Sequence, residues 1–295
     1  MRGEYDRILR VLKGTDIPLF ALSLFFYIIA LSLASVRLKL IIESQGNIPV
    51  KMLECLELTY IGYFFNNFLP TAIGGDVVKA FHLSKKTHEK MECYTAIFVD
   101  RAVGLITMIL MGFTSVLFVN SEIVDPNVKN IIFVITAASL IGVLFIVNKG
   151  IARRFSFLLR LARPIEERLI QAYNTLHKYK KYKLIMLQSL AISVASQIFF
   201  FATMGTLALS IGTKISPLDL LLRMPIVSAM SLLPSINGLG VREGSIVLFF
   251  GPLIGKENAF AISIELLALL LVTSLVGGLI YAFSPQFKVK LADIT

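Results

Sequence analysis

Two segments of the chain gather the residue types that could handle a charged ligand. They read NNFLPTAIGGDVVKA, from Asn66 to Ala80, and LLPSINGLGVREGS, from Leu232 to Ser245. Each is an apolar stretch broken by Leu-Pro, then by paired or near-paired glycines, then by charges of both signs. Pro70, Gly74 and Gly75 precede Asp76 and Lys79 in the first; Pro234, Gly238 and Gly240 precede Arg242 and Glu243 in the second. Asn66, Asn67 and Asn237 add amides to the same places, and a further ionisable pair, Asp100 and Arg101, opens a strongly apolar run. A helix that starts just after such a break exposes N–H groups and a partial positive charge that suit phosphate, and a nearby guanidinium or ammonium strengthens the attraction. These residues form the candidate substrate-binding set. Internal ion pairs are the competing reading, Asp76 with Lys79 or Arg101 and Arg242 with Glu243, neutralising a bundle interior without touching a ligand.

No catalytic constellation accompanies them. There is no nucleotide-binding G-x-x-x-x-G-K-[ST] loop, no H-E-x-x-H and no G-x-S-x-G elbow. His82, His88 and His177 have no ligand spacing, and Cys55 and Cys93, in or beside apolar segments, imply neither a disulfide framework nor a zinc site. The sequence therefore leads us to expect no enzyme, no cofactor and no metal.

The elements that position the charges are set by composition. Of 295 residues, 56% are hydrophobic and 16% charged, too little charge to coat a soluble protein of this size. The runs 17–36, 102–119, 131–147, 184–212 and 266–283 reach or approach the roughly 20 apolar residues that cross about 30 Å of hydrocarbon. The short alternating segments of a β-barrel are missing. The fold class expected is all-α: one integral membrane domain over 1–295, a polytopic bundle of about six to eight spans with two Gly/Pro-broken or re-entrant segments. Proline removes a backbone donor and glycine frees the dihedrals, so both segments should unwind, which hydrocarbon tolerates only inside protein or beside a wet cavity. Pro70 and Pro234 fall in opposite halves of the chain, so each break can serve one half. A matched pair of breaks points to an inverted repeat with a binding site between its halves. Within the spans an ionised group costs about 2.5–3.5 kcal/mol at a helix centre, so Glu57, Arg223 and Glu265 also require partners.

Lys and Arg number 29 against 19 Asp and Glu, a balance of +10. In a soluble chain that excess would suggest nucleic acid; here it lies in loops between spans, so no nucleic-acid partner is expected. The stretch Lys149–Lys183 holds ten Lys and Arg against two acids, and Ser121–Asn130 one Lys against two acids. The positive-inside rule puts the first in the cytoplasm and the second outside. Residues 150–183 then form a basic cytoplasmic loop, with an interfacial helix suggested by Ile151, Phe155, Leu158, Leu159 and Ala162. The loop with Lys85, Lys86 and Lys90, the tail with Lys288 and Lys290 and the N-terminal segment with Arg2, Arg7, Arg10 and Lys13 are placed inside as well. Arg37, Lys39 and Lys51 fall, against the rule, in an outside or interfacial loop.

At NNFLPTAIGGDVVKA, VDRAVGL (Val99 to Leu105) and LLPSINGLGVREGS the chain resembles the lysylphosphatidylglycerol synthase transmembrane-region family of flippase-like membrane proteins, over about residues 20 to 283. The resemblance implies movement of polar lipids between leaflets. It aligns Asp76 with Lys79, Asp100 with Arg101, and Arg242 with Glu243 to the family's three polar motifs. Lys79 stands where relatives often carry Arg, and the soluble aminoacyl-transferase domain of the synthases has no counterpart, so lipid lysylation is not expected. The function expected is that of a flippase or scramblase-like transporter in the cytoplasmic (inner) cell membrane, moving a lipid with a polar or anionic headgroup through a polar groove. The partners are membrane lipids with phosphate-bearing headgroups, with a homo-oligomer or a lipid-modifying enzyme as protein partner. The alternative is a non-transporting scaffold that partners a lipid-modifying or glycosyl-transfer enzyme.

Overall fold

The structure, a computed structural model, describes residues 2–44, 48–67, 74–85, 87, 90–118, 179–231 and 238–287, with a few positions between 130 and 137. Nine α-helices are present among the described residues: α1 (Arg2–Lys13), α2 (Ile17–Glu43), α3 (Met52–Asn66), α4 (Gly74–Ser84), α5 (Lys90–Phe118), α6 (Lys183–Ser210), α7 (Pro217–Met230), α8 (Val241–Ile254) and α9 (Lys256–Phe283). Nearly all of the run 131–147 and of the 150–183 loop, with its proposed interfacial helix, lies outside the described residues.

Four helices, α2, α5, α6 and α9, are long and apolar enough to cross a membrane. At 1.5 Å per residue, the 27 residues of α2 give about 40 Å, whereas the 15 of α3 give only about 22 Å. Local signals start these helices. The Asp16 carboxylate accepts from the Leu19 N–H at 3.0 Å ahead of α2, and Ser216 Oγ accepts from the Asp219 N–H at 3.1 Å ahead of α7, with Pro217 as its first residue. Leu184, Leu187, Val194 and Ile198 on α6 and Leu271, Val272, Leu275 and Leu279 on α9 remain exposed, as a lipid-facing surface requires.

The short helices do not cross. α4 folds back along α3, because Gly75 lies against the Gly62 backbone, Lys79 lies along Gly62, and Leu83 packs into one cluster with Cys55. α7 and α8 pair in the same antiparallel way, since Ser245 Oγ meets Met230 Sδ at 3.4 Å and an Arg223 Nη1–H donates to the Phe249 carbonyl at 2.8 Å. The described arms of both broken segments thus return on themselves as re-entrant hairpins, with glycines where each second arm begins.

The two halves of the described chain repeat the same order: long helix, hairpin, long helix. Lys183, Pro217, Val241 and Lys256 begin their helices at a nearly constant sequence offset from Ile17, Met52, Gly74 and Lys90. The halves are inverted. The Asp16 N–H donates to the Ser210 carbonyl at 2.8 Å, Tyr27 meets Phe200, Ser196 Oγ–H donates to the Ala30 carbonyl at 2.9 Å, and Arg37 meets Ser193, so α2 and α6 run antiparallel. Close contacts obey the same relation. A Cβ on Gly277 of α9 would collide with the Tyr60 carbonyl of α3, and one on Gly112 of α5 would lie 2.8 Å from the Pro225 ring of α7. Gly277 is offset from Gly112 by the same interval that separates Pro225 from Tyr60. The inverted repeat suggested by the two proline breaks is therefore present in the helix packing.

One sequence expectation fails here. Residues 16 and 210 share one end of the bundle, while Lys183 starts α6 at the other, with Glu43, Met52 and Lys90. The N-terminal segment and the Lys149–Lys183 loop cannot both be cytoplasmic. Keeping the more basic loop inside moves Arg10 and Lys13 outside. It also brings Lys39 and Lys51 in, so that the exception to the charge rule passes from these residues to the N-terminal cations. Arg37 is not in a loop at all, because α2 continues to Glu43.

Candidate functional site

A cavity of about 290 Å³ lies between the inverted halves. Its walls come from both: Ala30, Arg37, Tyr63, Asn66, Arg101 and Leu105 from the first, Ser196, Gln197, Ser228, Ser231, Arg242 and Leu270 from the second. Several lining residues are counterparts in the repeat, among them Tyr63 with Ser228, Asn66 with Ser231 and Leu105 with Leu270, each pair separated by one and the same offset. Polar and apolar groups share the walls, as a site for an amphiphile would require.

The charged side chains follow one pattern. Each arginine on the cavity is held by a carboxylate. Arg37 Nε–H donates to Asp100 Oδ1 at 2.7 Å, and its Nη1–H donates to Ser193 Oγ at 2.9 Å. Gly104 gives that guanidinium its space, since a Cβ there would lie 3.1 Å from Arg37 Nη1. Arg101 lies 3.4 Å from Asp76 Oδ2, an ion pair without an aligned hydrogen bond, and Lys79 Nζ donates to Asp76 Oδ1 at 3.0 Å. Arg242 reaches Glu243 Oε1 twice, through Nη2 at 2.6 Å and Nε at 3.1 Å. Arg101 is the most open of the three, with 36% of its side chain exposed against 9% for Arg37 and 11% for Arg242.

The hairpin tips are closed by their own chain. Asn66 Oδ1 accepts from the Gly75 N–H at 2.7 Å, and Glu243 Oε2 accepts from the Gly240 N–H at 2.6 Å. Gly240 holds φ 81° and Gly238 φ 75°, left-handed angles that only glycine takes without strain, so the turn into α8 depends on both. The expectation that these helix starts offer open N–H groups to a ligand is thereby narrowed. Those two donors are satisfied internally, and the guanidiniums face the cavity instead.

Of the predicted site residues, Asn66, Arg101 and Arg242 line the cavity. Asp76, Lys79, Asp100 and Glu243 stand behind the arginines as their partners or neighbours. Gly74 and Gly75 are buried at the start of α4, and Asn67 ends α3. Pro70, Pro234 and Asn237 lie outside the described residues. Sequence reasoning missed Arg37 as a site residue, although a cation to balance Asp100 was needed. It also missed Tyr63, Ser196 and Gln197, whose types carry no signal in an apolar run. Outside the cavity, Glu57 accepts from Gln286 Nε2 at 2.7 Å, and Arg223 pairs with Asp219 at 3.4 Å.

Residues 5–280 match the family model described as the lysylphosphatidylglycerol synthase TM region. The chain is also 25% identical over 310 residues to a UPF0104 membrane protein of Pyrococcus horikoshii, an alignment covering 93% of this chain and 90% of that protein. No solved structure matches.

Proposed function

The chain belongs to the lysylphosphatidylglycerol synthase TM region family, and on that premise we propose that it moves a lipid with a polar, phosphate-bearing headgroup between leaflets, the headgroup passing through the cavity between the inverted halves. The observation that carries this reading is the meeting of Arg37, Arg101 and Arg242 around one cavity. Guanidiniums bind phosphate oxygens bidentately, and their carboxylate partners hold them in place; because Lys79 shares Asp76 with Arg101, these four cations face three carboxylates. The volume supports a headgroup rather than a whole lipid. At about 290 Å³ it lies at the lower edge of the roughly 300–1,000 Å³ of small-molecule pockets. Acyl chains would remain in the bilayer.

Arg242 tests the reading. It is buried and paired with Glu243, so Arg242→Ala alone conflates two effects, a lost ligand contact and a stranded carboxylate. The double variant Arg242→Ala with Glu243→Gln removes the second, because the neutral amide oxygen can still accept from the Gly240 N–H. The expected result is a double variant that melts like the wild type in detergent yet transfers a fluorescent phospholipid headgroup at least tenfold more slowly in reconstituted vesicles. Recovery of wild-type transfer together with stability would make the pair purely structural.

A further inference from the structure

Glu265 is a buried carboxylate of the second half for which the cavity has no use. It sits in α9 with 4% of its surface exposed. At the offset of the repeat, its counterpart in the first half is Asp100. There the resemblance ends, because Asp100 is neutralised by Arg37, whereas the counterpart of Arg37 in α6 is Ala202.

Its partners are hydroxyls alone among the described residues. Thr15 Oγ1 lies 2.6 Å from Glu265 Oε1, and Ser210 Oγ lies 2.8 Å from Oε2. Among the residues whose side chains are described, no ionised group pairs with it from the packed elements. On α1, Arg10 and Lys13 occupy exposed positions; Asp16, at the start of α2, is exposed and caps the Leu19 N–H. On α8, Glu243 is engaged with Arg242 and the Gly240 N–H, and on α3 Glu57 meets Gln286 next to the far end of α9. Lys214, beyond α6, is exposed.

The protons can be counted. Ser210 Oγ has a single hydrogen but two acceptors, Glu265 Oε2 at 2.8 Å and the Leu207 carbonyl at 2.7 Å. Both short contacts are satisfied at once if the Ser210 hydroxyl donates to Leu207 and Glu265 donates to Ser210, which requires a proton on Glu265. An ionised Glu265 would leave one contact without a hydrogen, and would also place an uncompensated charge among apolar helices.

From this geometry we propose that Glu265 is a proton-binding site, carrying its proton on Oε2 in the conformation described. On release the O–H bond breaks, the electron pair stays on the carboxylate, and the proton leaves to water at the near end of the bundle. There Gly14, Asp16, Gly212 and Lys214 line the chain's turns, with Gly14, Asp16 and Lys214 at or near the surface. Ser210 then turns from Leu207 to the carboxylate. Any coupling of this proton to lipid movement rests on the transport reading above; proton binding does not.

Infrared spectroscopy of the full chain in lipid at neutral pH tests the site without a transport assay. The wild-type minus Glu265→Gln difference should contain one protonated-carboxyl C=O band, shifted to lower frequency in D2O. Loss of ionised-carboxylate bands instead would overturn the proposal. Ser210→Ala is the second variant, needed because Glu265→Gln could fail to fold. It removes the acceptor, so the same band should move to higher frequency, and an unmoved band would overturn the assignment of the proton to the Ser210 contact.

Discussion

Arg37 shows what a single buried charge costs and fixes. The residue is 7% exposed, and its guanidinium joins three helices, α2, α5 and α6, through Asp100 and Ser193. Removing one partner of a buried pair leaves a charge whose desolvation is no longer compensated, typically about 3–5 kcal/mol. Arg37→Ala should therefore lower the melting temperature in detergent sharply, while Arg37→Ala with Asp100→Ala should regain most of it. Equal melting of single and double variants would show that the pair is not the stabilising unit. The polar motifs around this pair were legible in the sequence, since charges next to Pro and Gly in apolar runs stand out. Arg37 was not, because its partner lies far along the chain on another helix, and a lone Arg near the end of an apolar run reads as a loop residue.

At the scale of elements, small residues decide how closely hairpins and long helices approach. Gly75 sits on the Gly62 carbonyl, which sets α4 against α3 and aligns Lys79 along Gly62 towards Asp76. Gly112 and Gly277 are repeat counterparts, but their neighbours differ in stiffness. At Gly277 an added methyl meets the backbone carbonyl of Tyr60; at Gly112 it meets the ring of Pro225 at 2.8 Å. A backbone atom inside a hairpin yields less than a ring edge. Overpacking generally costs about 1–3 kcal/mol. Gly277→Ala should fall at or above the top of that range and Gly112→Ala near its bottom, read as the loss of melting temperature in the same detergent. The reverse order would contradict the close approach of α3 to α9. The sequence pointed to unwinding at both proline breaks but not to which side each arm returns. That is settled by tertiary contacts such as Gly62 with Gly75 and Met230 with Ser245.

For the whole molecule, inversion of the halves turns a local charge count into a topology. α2 and α6 are antiparallel, so residues 17 and 210 share one end and residues 43 and 183 the other. The basic stretch Lys149–Lys183 is the strongest topogenic signal in the chain, with ten cations against two acids. If it is cytoplasmic, α6 starts inside, α2 ends inside, and the N-terminal helix α1 is outside despite Arg2, Arg7, Arg10 and Lys13. The same placement gathers Lys39, Lys51 and Lys90 at the cytoplasmic end. Cys55 and Cys93 are buried, so introduced cysteines can be labelled above a low background. With an impermeant thiol reagent on intact cells, Gly3→Cys and Ser121→Cys should react while Lys178→Cys stays protected until the membrane is opened. Protection of Gly3→Cys alongside Lys178→Cys would mean that α2 and α6 enter from the same side, which antiparallel packing through Tyr27–Phe200 and Ala30–Ser196 does not allow. Such a result would remove the inverted repeat and, with it, the cavity between its halves.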